Sequence, residues 1–303
     1  MSFALKAVSC VGLTAHAVVP LIVGSDRAQR AIEKKTAEQM NMKSVVKMPL
    51  ISSAILFGLY IVFKFFHIDI LQLILTIYFV YIGAESIAET FDFFFSRFAS
   101  PEKHTFTIPF TSFKVEYSKA ELLGMAAGAV VSVAWALTRN WVLNNVLATC
   151  FTIAILGLLT LPSFNISALL LLGLFVYDIF WVFSGDVMVT VAKKIDGPIK
   201  FVFPRDGHFF SNDLALLGLG DIAIPGLYIA LMKRVDAHFH GEYNPRFFLV
   251  NMIAYFVALA VTFAFFFIFN HGQVCFLPTS FRHLSCRELT PSPHCCTSSR
   301  PFF

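Results

Sequence analysis

Residues 169–185 read LLLLGLFVYDIFWVFSG, an apolar run interrupted by a single acid, Asp178. A stretch this apolar belongs in a bilayer, where a carboxylate near the midplane costs about 2.5–3.5 kcal/mol on insertion scales. An acid kept there against that cost marks a functional position, and the rest of the chain must say which function. Composition identifies the solvent. Of 303 residues, 57% are hydrophobic and 14% charged, with 36 Phe, a net charge of +4 and a mean hydropathy of +0.73. Those values exclude a soluble domain of this length and describe an all-α polytopic membrane protein whose first partner is the lipid bilayer. The Lys and Arg residues stand in clusters between apolar runs instead of forming one basic face, which speaks against nucleic-acid binding.

Crossing a bilayer takes about 20 apolar residues, and such runs fall at 3–23, 48–66, 68–90, 119–138, 141–160, 163–184, 212–232 and 246–270, predicting eight membrane helices. The first has only Lys6 as a basic start, and AHAVVPLIVGS carries it past any small-residue cleavage site, so it reads as a span and not as a cleaved leader. Residues 1–162 hold the first five spans, 163–273 the next three, and 274–303 form a tail rich in Ser, Pro, Cys, Arg and His that reads as disordered. The connection after the first span carries Arg27, Arg30, Lys34, Lys35, Lys43 and Lys47, and that after the third adds Arg97, Lys103, Lys114 and Lys119. By the positive-inside rule these loops face the cytosol and the N-terminus faces the lumen or the exterior. The sequon at Asn165 then falls on the cytosolic side, and no glycan is expected there.

A second acid lies in FSNDLALLGLGDIAIPGLYIALMKR, residues 210–234, where Asp221 enters the seventh span. Two antiparallel neighbours joined by a loop bring Asp178 and Asp221 face to face. Like charges that close cannot both ionise, so the pair shares a proton and holds a base and an acid at once, with no cofactor needed. Gly218 and Gly220 clear side chains from the turn into the acid, and Pro225 with Gly226 weakens the helix one turn later. A shielded peptide bond in a membrane helix must be unwound and wetted before it is hydrolysed, and a loosened helix beside the acid suits both needs. The alternative from another class is a proton-coupled transporter in which the acids relay protons. Glu85 and Glu89 read as interfacial, His16 as a packing residue, and the tail's His283, Cys286, His294, Cys295 and Cys296 fit no common zinc spacing. The β-prone runs 187–192 and 199–203, separated by KKIDGP, predict a short lumenal hairpin between helices six and seven, whose edge would take up an extended substrate strand, with Val189 as a test position.

The YD of Tyr177 and Asp178, the GLGD of residues 218–221, and MVTVAKKIDGPIKFVFPRD between them resemble the signal peptide peptidase family, intramembrane aspartyl proteases related to presenilin. The resemblance runs from residue 1 to about 273. It implies a nine-helix presenilin-like fold, a lumenal N-terminus in the endoplasmic reticulum membrane, and catalysis by Asp178 and Asp221. Tyr177, Gly218, Leu219, Gly220 and Gln273 would line the substrate site, no cofactor or metal would take part, and the substrates would be signal peptides or type II membrane segments. Whether the chain forms a homo-oligomer is left open. The family's pattern continues after the position of Gln273 with Pro-Ala-Leu and a ninth span, whereas residues 274–303 contain neither. The expected consequence is a chain with weakened cleavage, the alternative being a catalytically impaired one that binds signal peptides without cutting them.

Overall fold

The computed structural model describes residues 3–33, 37–65, 68–95, 103–107, 114–183, 187, 191, 194–204, 214–239 and 246–269. They form eight helices: α1 (Phe3–Glu33), α2 (Met42–Phe65), α3 (Ile68–Phe95), α4 (Lys119–Thr138), α5 (Trp141–Leu158), α6 (Phe164–Phe183), α7 (Leu219–Phe239) and α8 (Arg246–Phe269). Six strands lie between them: β1 (Glu38–Gln39), β2 (Lys103–Thr107), β3 (Lys114–Ser118), β4 (Leu159–Thr160), β5 (Lys200–Pro204) and β6 (Leu214–Gly218). The chain divides into two compact units, Met1–Val261 and Thr262–Phe303. Of the second, residues 262–269 are described and continue α8.

Among the described residues, α2 to α6 and α8 are long and apolar enough to cross a membrane. The two others, α1 and α7, are joined by an ion pair: Asp26 of α1 meets Lys233 of α7. Both pack against α5 in the interior. On α1 the positions Leu13, Ala17, Leu21, Ser25 and Ala28 are all buried, a stripe recurring every three to four residues. Three helices converge on Leu156 of α5. A side chain at Gly226 of α7 would come within 2.8 Å of Leu21 and 3.1 Å of Leu156, and Gly24 of α1 faces Leu156 as well. Missing side chains at these two positions let the backbones close around one leucine, which is how helices gain packing where lipid supplies no hydrophobic drive between them.

The strands pair in three two-stranded sheets: β1 with β4 in parallel, and β2 with β3 and β5 with β6 antiparallel. The β5–β6 pair corrects the expected hairpin. Residues 200–204 are a strand as anticipated, but their partner is 214–218, in the register Lys200↔Gly218, Val202↔Leu216 and Pro204↔Leu214. In the 187–192 run, Val187 and Val191 are helical, and Val189 lies outside the described residues. Leu214–Leu217 is rich in good helix formers and was counted into a span beginning at 212; tertiary bonding to β5 overrides that propensity, and the helix starts at Leu219.

Candidate active site

Helix α6 is seated on α2 by Gly173, where a side chain would meet Pro49 at 3.1 Å, and by Trp181, whose indole Nε1 donates to Ser53 Oγ at 3.0 Å. Tyr177 lies on the same side, its ring 6.5 Å from that of Trp181. Asp178, one residue further round the helix, is exposed. Helices α6 and α7, which carry Asp178 and Asp221, touch.

Asp221 is held at the first turn of α7. Gly218 is the last residue of β6 and precedes the first helical residue, Leu219, and its backbone N–H donates to the Asp221 carboxylate. This is the side-chain half of a capping box: an acid at the third helical position reaching back to the residue that begins the helix. A Cβ on residue 218 would sit 3.0 Å from Asp221 Oδ2, so glycine leaves the room the carboxylate occupies. Gly220 is more open, with Ile224 Cδ1 at 3.9 Å from the corresponding position. The GLGD motif is thus a strand end, a cap and an acid in four residues.

The strand end is itself fixed. The Leu219 N–H donates to the Ile199 carbonyl at 2.9 Å, extending the β5–β6 ladder into the helix. On the other side of β5, Asn145 of α5 behaves like a strand: its Nδ2 donates to the Val202 carbonyl at 2.7 Å and its Oδ1 accepts from the Val202 N–H at 2.9 Å. Asn144 Nδ2 donates to the Lys200 carbonyl at 2.7 Å. A line of hydrogen bonds therefore runs from α5 through β5 and β6 to Asp221. Because Val202 turns its backbone groups toward Asn145, the alternation of an antiparallel ladder turns those of its partner Leu216, and of Gly218, away from β5. The outer edge of β6 ends at Asp221, and among the described residues no second strand covers it.

Tyr177, Asp178, Gly218, Leu219, Gly220 and Asp221 thus sit on one helix pair and its strand entry, whereas Gln273 lies outside the described residues. Sequence reasoning passed over Asn144, Asn145 and Tyr255. The asparagines stood out only as buried amides in an apolar span. Tyr255 of α8 donates its hydroxyl to the Asp221 carbonyl at 3.1 Å. Glu89, read as interfacial, pairs with Arg27 at 2.6 Å. Both line a cavity of about 560 Å³ together with Phe79, Glu85, Phe151 and Leu219. His16 packs edge-on to Phe203, and its Nδ1 lies 2.7 Å from the Gly12 carbonyl. Among the described residues, no group of three His, Cys, Asp or Glu side chains could hold a metal ion.

Comparison with known proteins bears on the same segments. The chain is 33% identical over 279 residues to the human protein named signal peptide peptidase, covering 86% of this chain and 74% of that one. It is 38% identical over 167 residues to intramembrane protease 2 of Caenorhabditis elegans, covering 50% of this chain and 36% of the relative. Against signal peptide peptidase-like 1 of Arabidopsis thaliana it is 35% identical over 156 residues, 40% of this chain and 42% of the other. No solved structure matches. The profile described as signal peptide peptidase matches residues 32–278, which take in both aspartates, the strands that lead to Asp221 and all but the first of the helices. With six helices able to cross a bilayer and that match over most of its length, the chain is an integral membrane protein and belongs to the signal peptide peptidase family.

Proposed function

We propose that the protein is an aspartic endopeptidase that hydrolyses peptide bonds within the bilayer, with Asp178 and Asp221 as its catalytic pair. The observation that supports this reading is that the two acids stand on touching helices, with Asp221 held by a backbone cap at the first turn of its own. Two carboxyls brought together across that helix contact share one proton. The ionised one takes a proton from a water molecule as its oxygen attacks the scissile carbonyl carbon, and the protonated one gives its proton to the carbonyl oxygen. The tetrahedral diol then collapses: the carboxyl that took the proton from water gives it to the amide nitrogen, the C–N bond breaks, and a diol hydroxyl returns its proton to the other carboxylate, leaving an amine, a carboxylic acid and the pair with its one shared proton. No metal or cofactor enters the scheme.

The outer edge of β6 is where the unwound substrate docks as an added strand, since Asn144 and Asn145 already occupy the outer edge of β5. A strand on that edge lies beside Gly218 and brings its backbone to Asp221. The substrates are signal peptides or type II membrane segments, met in the endoplasmic reticulum membrane by an enzyme whose N-terminus is lumenal. The loop charges support that orientation. Cleavage is weak relative to members that carry Pro-Ala-Leu, because residues 274–303 bring no such tip to the aspartates.

Labelling by an aspartyl-protease transition-state analogue, together with cleavage of a reconstituted signal peptide, tests the reading. Asp178→Ala and Asp221→Ala should each abolish both signals. Retention of both by Asp221→Ala would sink the proposal, and labelling with no cleavage would favour a binder of signal peptides. A proton-coupled transporter would instead give no specific label.

A further inference from the structure

The break in α7 has a chemical consequence at Asp221. In a regular α-helix the carbonyl of residue 221 accepts from the N–H of residue 225. Residue 225 is proline, lies inside α7 and has no N–H. The Asp221 carbonyl is therefore deprived of its ordinary partner at the very residue whose side chain must be held still. Tyr255 supplies a donor from another helix, its hydroxyl standing 3.1 Å from that carbonyl oxygen. The reach starts from a fixed base. Asp236, near the end of α7, accepts the N–H groups of Phe247 at 3.0 Å and Phe248 at 2.7 Å in the first turn of α8. The Lys233 ammonium lies 5.0 Å from the centre of the Phe248 ring. Helix α8 is thus tied to α7 at the far end from the acid, and Tyr255 ties it again at the acid itself.

Resting on the aspartate-pair reading, we propose that Tyr255 is a positioning residue for Asp221: its hydroxyl replaces the backbone donor that Pro225 removes and keeps the first turn of α7 in place. The carboxylate is fixed through Gly218 on one side and the carbonyl through Tyr255 on the other, so the residue is clamped at both of its polar ends. The hydroxyl touches the backbone and not the carboxylate, so its action is exerted through Asp221. Proline gives the helix a weak point beside the reaction, and the tyrosine keeps that weakness from moving the acid.

Restoring the missing donor tests this directly, because Pro225→Ala places an N–H four residues after Asp221. In the full chain reconstituted in lipid, Tyr255→Phe should lower kcat for a quenched fluorescent transmembrane peptide about tenfold, the worth of one hydrogen bond, at unchanged KM. It should also shift the pH midpoint at which a carbodiimide modifies the Asp221 carboxyl, followed by mass spectrometry. That second readout needs no turnover. In the Pro225→Ala background, Tyr255→Phe should change neither quantity further. A Tyr255→Phe protein that matches the wild type in both readouts, or effects of equal size in the two backgrounds, would overturn the inference. Failure of the parent reading looks different: Asp221→Ala would then cleave like the wild type, and this proposal would fall with it.

Discussion

Replacing Asn145 by leucine keeps the branched heavy-atom skeleton of the side chain and removes two hydrogen bonds at once. Asn145 and Val202 are both buried, at 3% and 5% exposure, so water does not take the place of the lost partner. The Val202 N–H and carbonyl are then both orphaned, and each such group costs about 1–3 kcal/mol. Side-chain bonds measured within membranes average lower, near 0.6 kcal/mol, because neighbouring groups find substitutes. A net loss of about 2–3 kcal/mol follows, or about 3–5 °C in Tm at an unfolding entropy of about 2.1 cal/mol/K per residue. Asn144→Leu removes a single bond, to the Lys200 carbonyl, and should cost about half as much. Thermal unfolding followed by tryptophan fluorescence in nanodiscs measures both. Cleavage should fall more steeply than stability in Asn145→Leu, since the bonds it removes hold the strand that leads to Gly218 and Asp221. If Asn145→Leu and Asn144→Leu unfold within about 0.5 kcal/mol of the wild type, the surface-mutation range, then α5 does not anchor β5 and the positioning line drawn through it is wrong.

Four other outcomes are expected. Gly218→Ala places a Cβ 3.0 Å from Asp221 Oδ2 and should reduce cleavage by about 10²-fold, as displacements near 1 Å do, with less loss in Gly220→Ala, whose new methyl meets Ile224 at 3.9 Å. Leu216→Pro removes an N–H that faces away from β5, so the fold should persist while substrate uptake fails; unchanged KM and kcat would dismiss strand addition. A glycosylation tag inserted within 185–211 should be modified and one within 30–40 should not, and the reverse pattern would invert the orientation and remove the type II substrate assignment. A chimera in which residues after Gln273 are replaced by Pro-Ala-Leu and a further span should cleave a reconstituted signal peptide faster than the present chain, and the gain should vanish with Asp178→Ala. Equal rates would show that this segment is dispensable.

The elements legible in the sequence were those whose signal is local. Hydropathy located each of the eight helices, and GLGD marked the turn that leads into the second acid, though not the cap its first glycine forms. Boundaries were less accessible where charges are satisfied by distant partners. The first span was expected to end at 23, yet α1 continues to Glu33 because Asp26 meets Lys233 and Arg27 meets Glu89. The hairpin partner was misread for the same reason. What makes Leu214–Gly218 a strand is its pairing with Lys200–Pro204, and what holds that strand is an asparagine 57 residues before Val202. Tyr255 carried one usable clue: a proline four residues after an acid leaves the acid's carbonyl in need of a donor. Pattern alone does not say which helix provides it.

The placement of α1 and α7 explains how such an acid is tolerated in lipid at all. In water the most apolar helix goes inside; in a bilayer the outside is apolar too, and position is decided by where polar groups can be satisfied. Helix α2 is apolar almost throughout and faces outward, with Leu50, Ile51, Ile55 and Phe57 exposed. Helix α7 carries Asp221, Lys233, Arg234 and Asp236, each with a hydrogen-bonding or ionic partner: Gly218, Asp26, the Leu161 carbonyl and the first turn of α8. Those partners come from α1, α8, the strand entry and the residues after α5, so α7 keeps its polar load only while it is surrounded by them. The same surroundings compensate its proline. A helix apolar enough to stand alone in lipid would lack the acid, and one polar enough to carry the acid needs this shell: Lys233, Arg234 and Asp236 hold α7 at its far end, while Gly218 and Tyr255 hold Asp221 at its first turn.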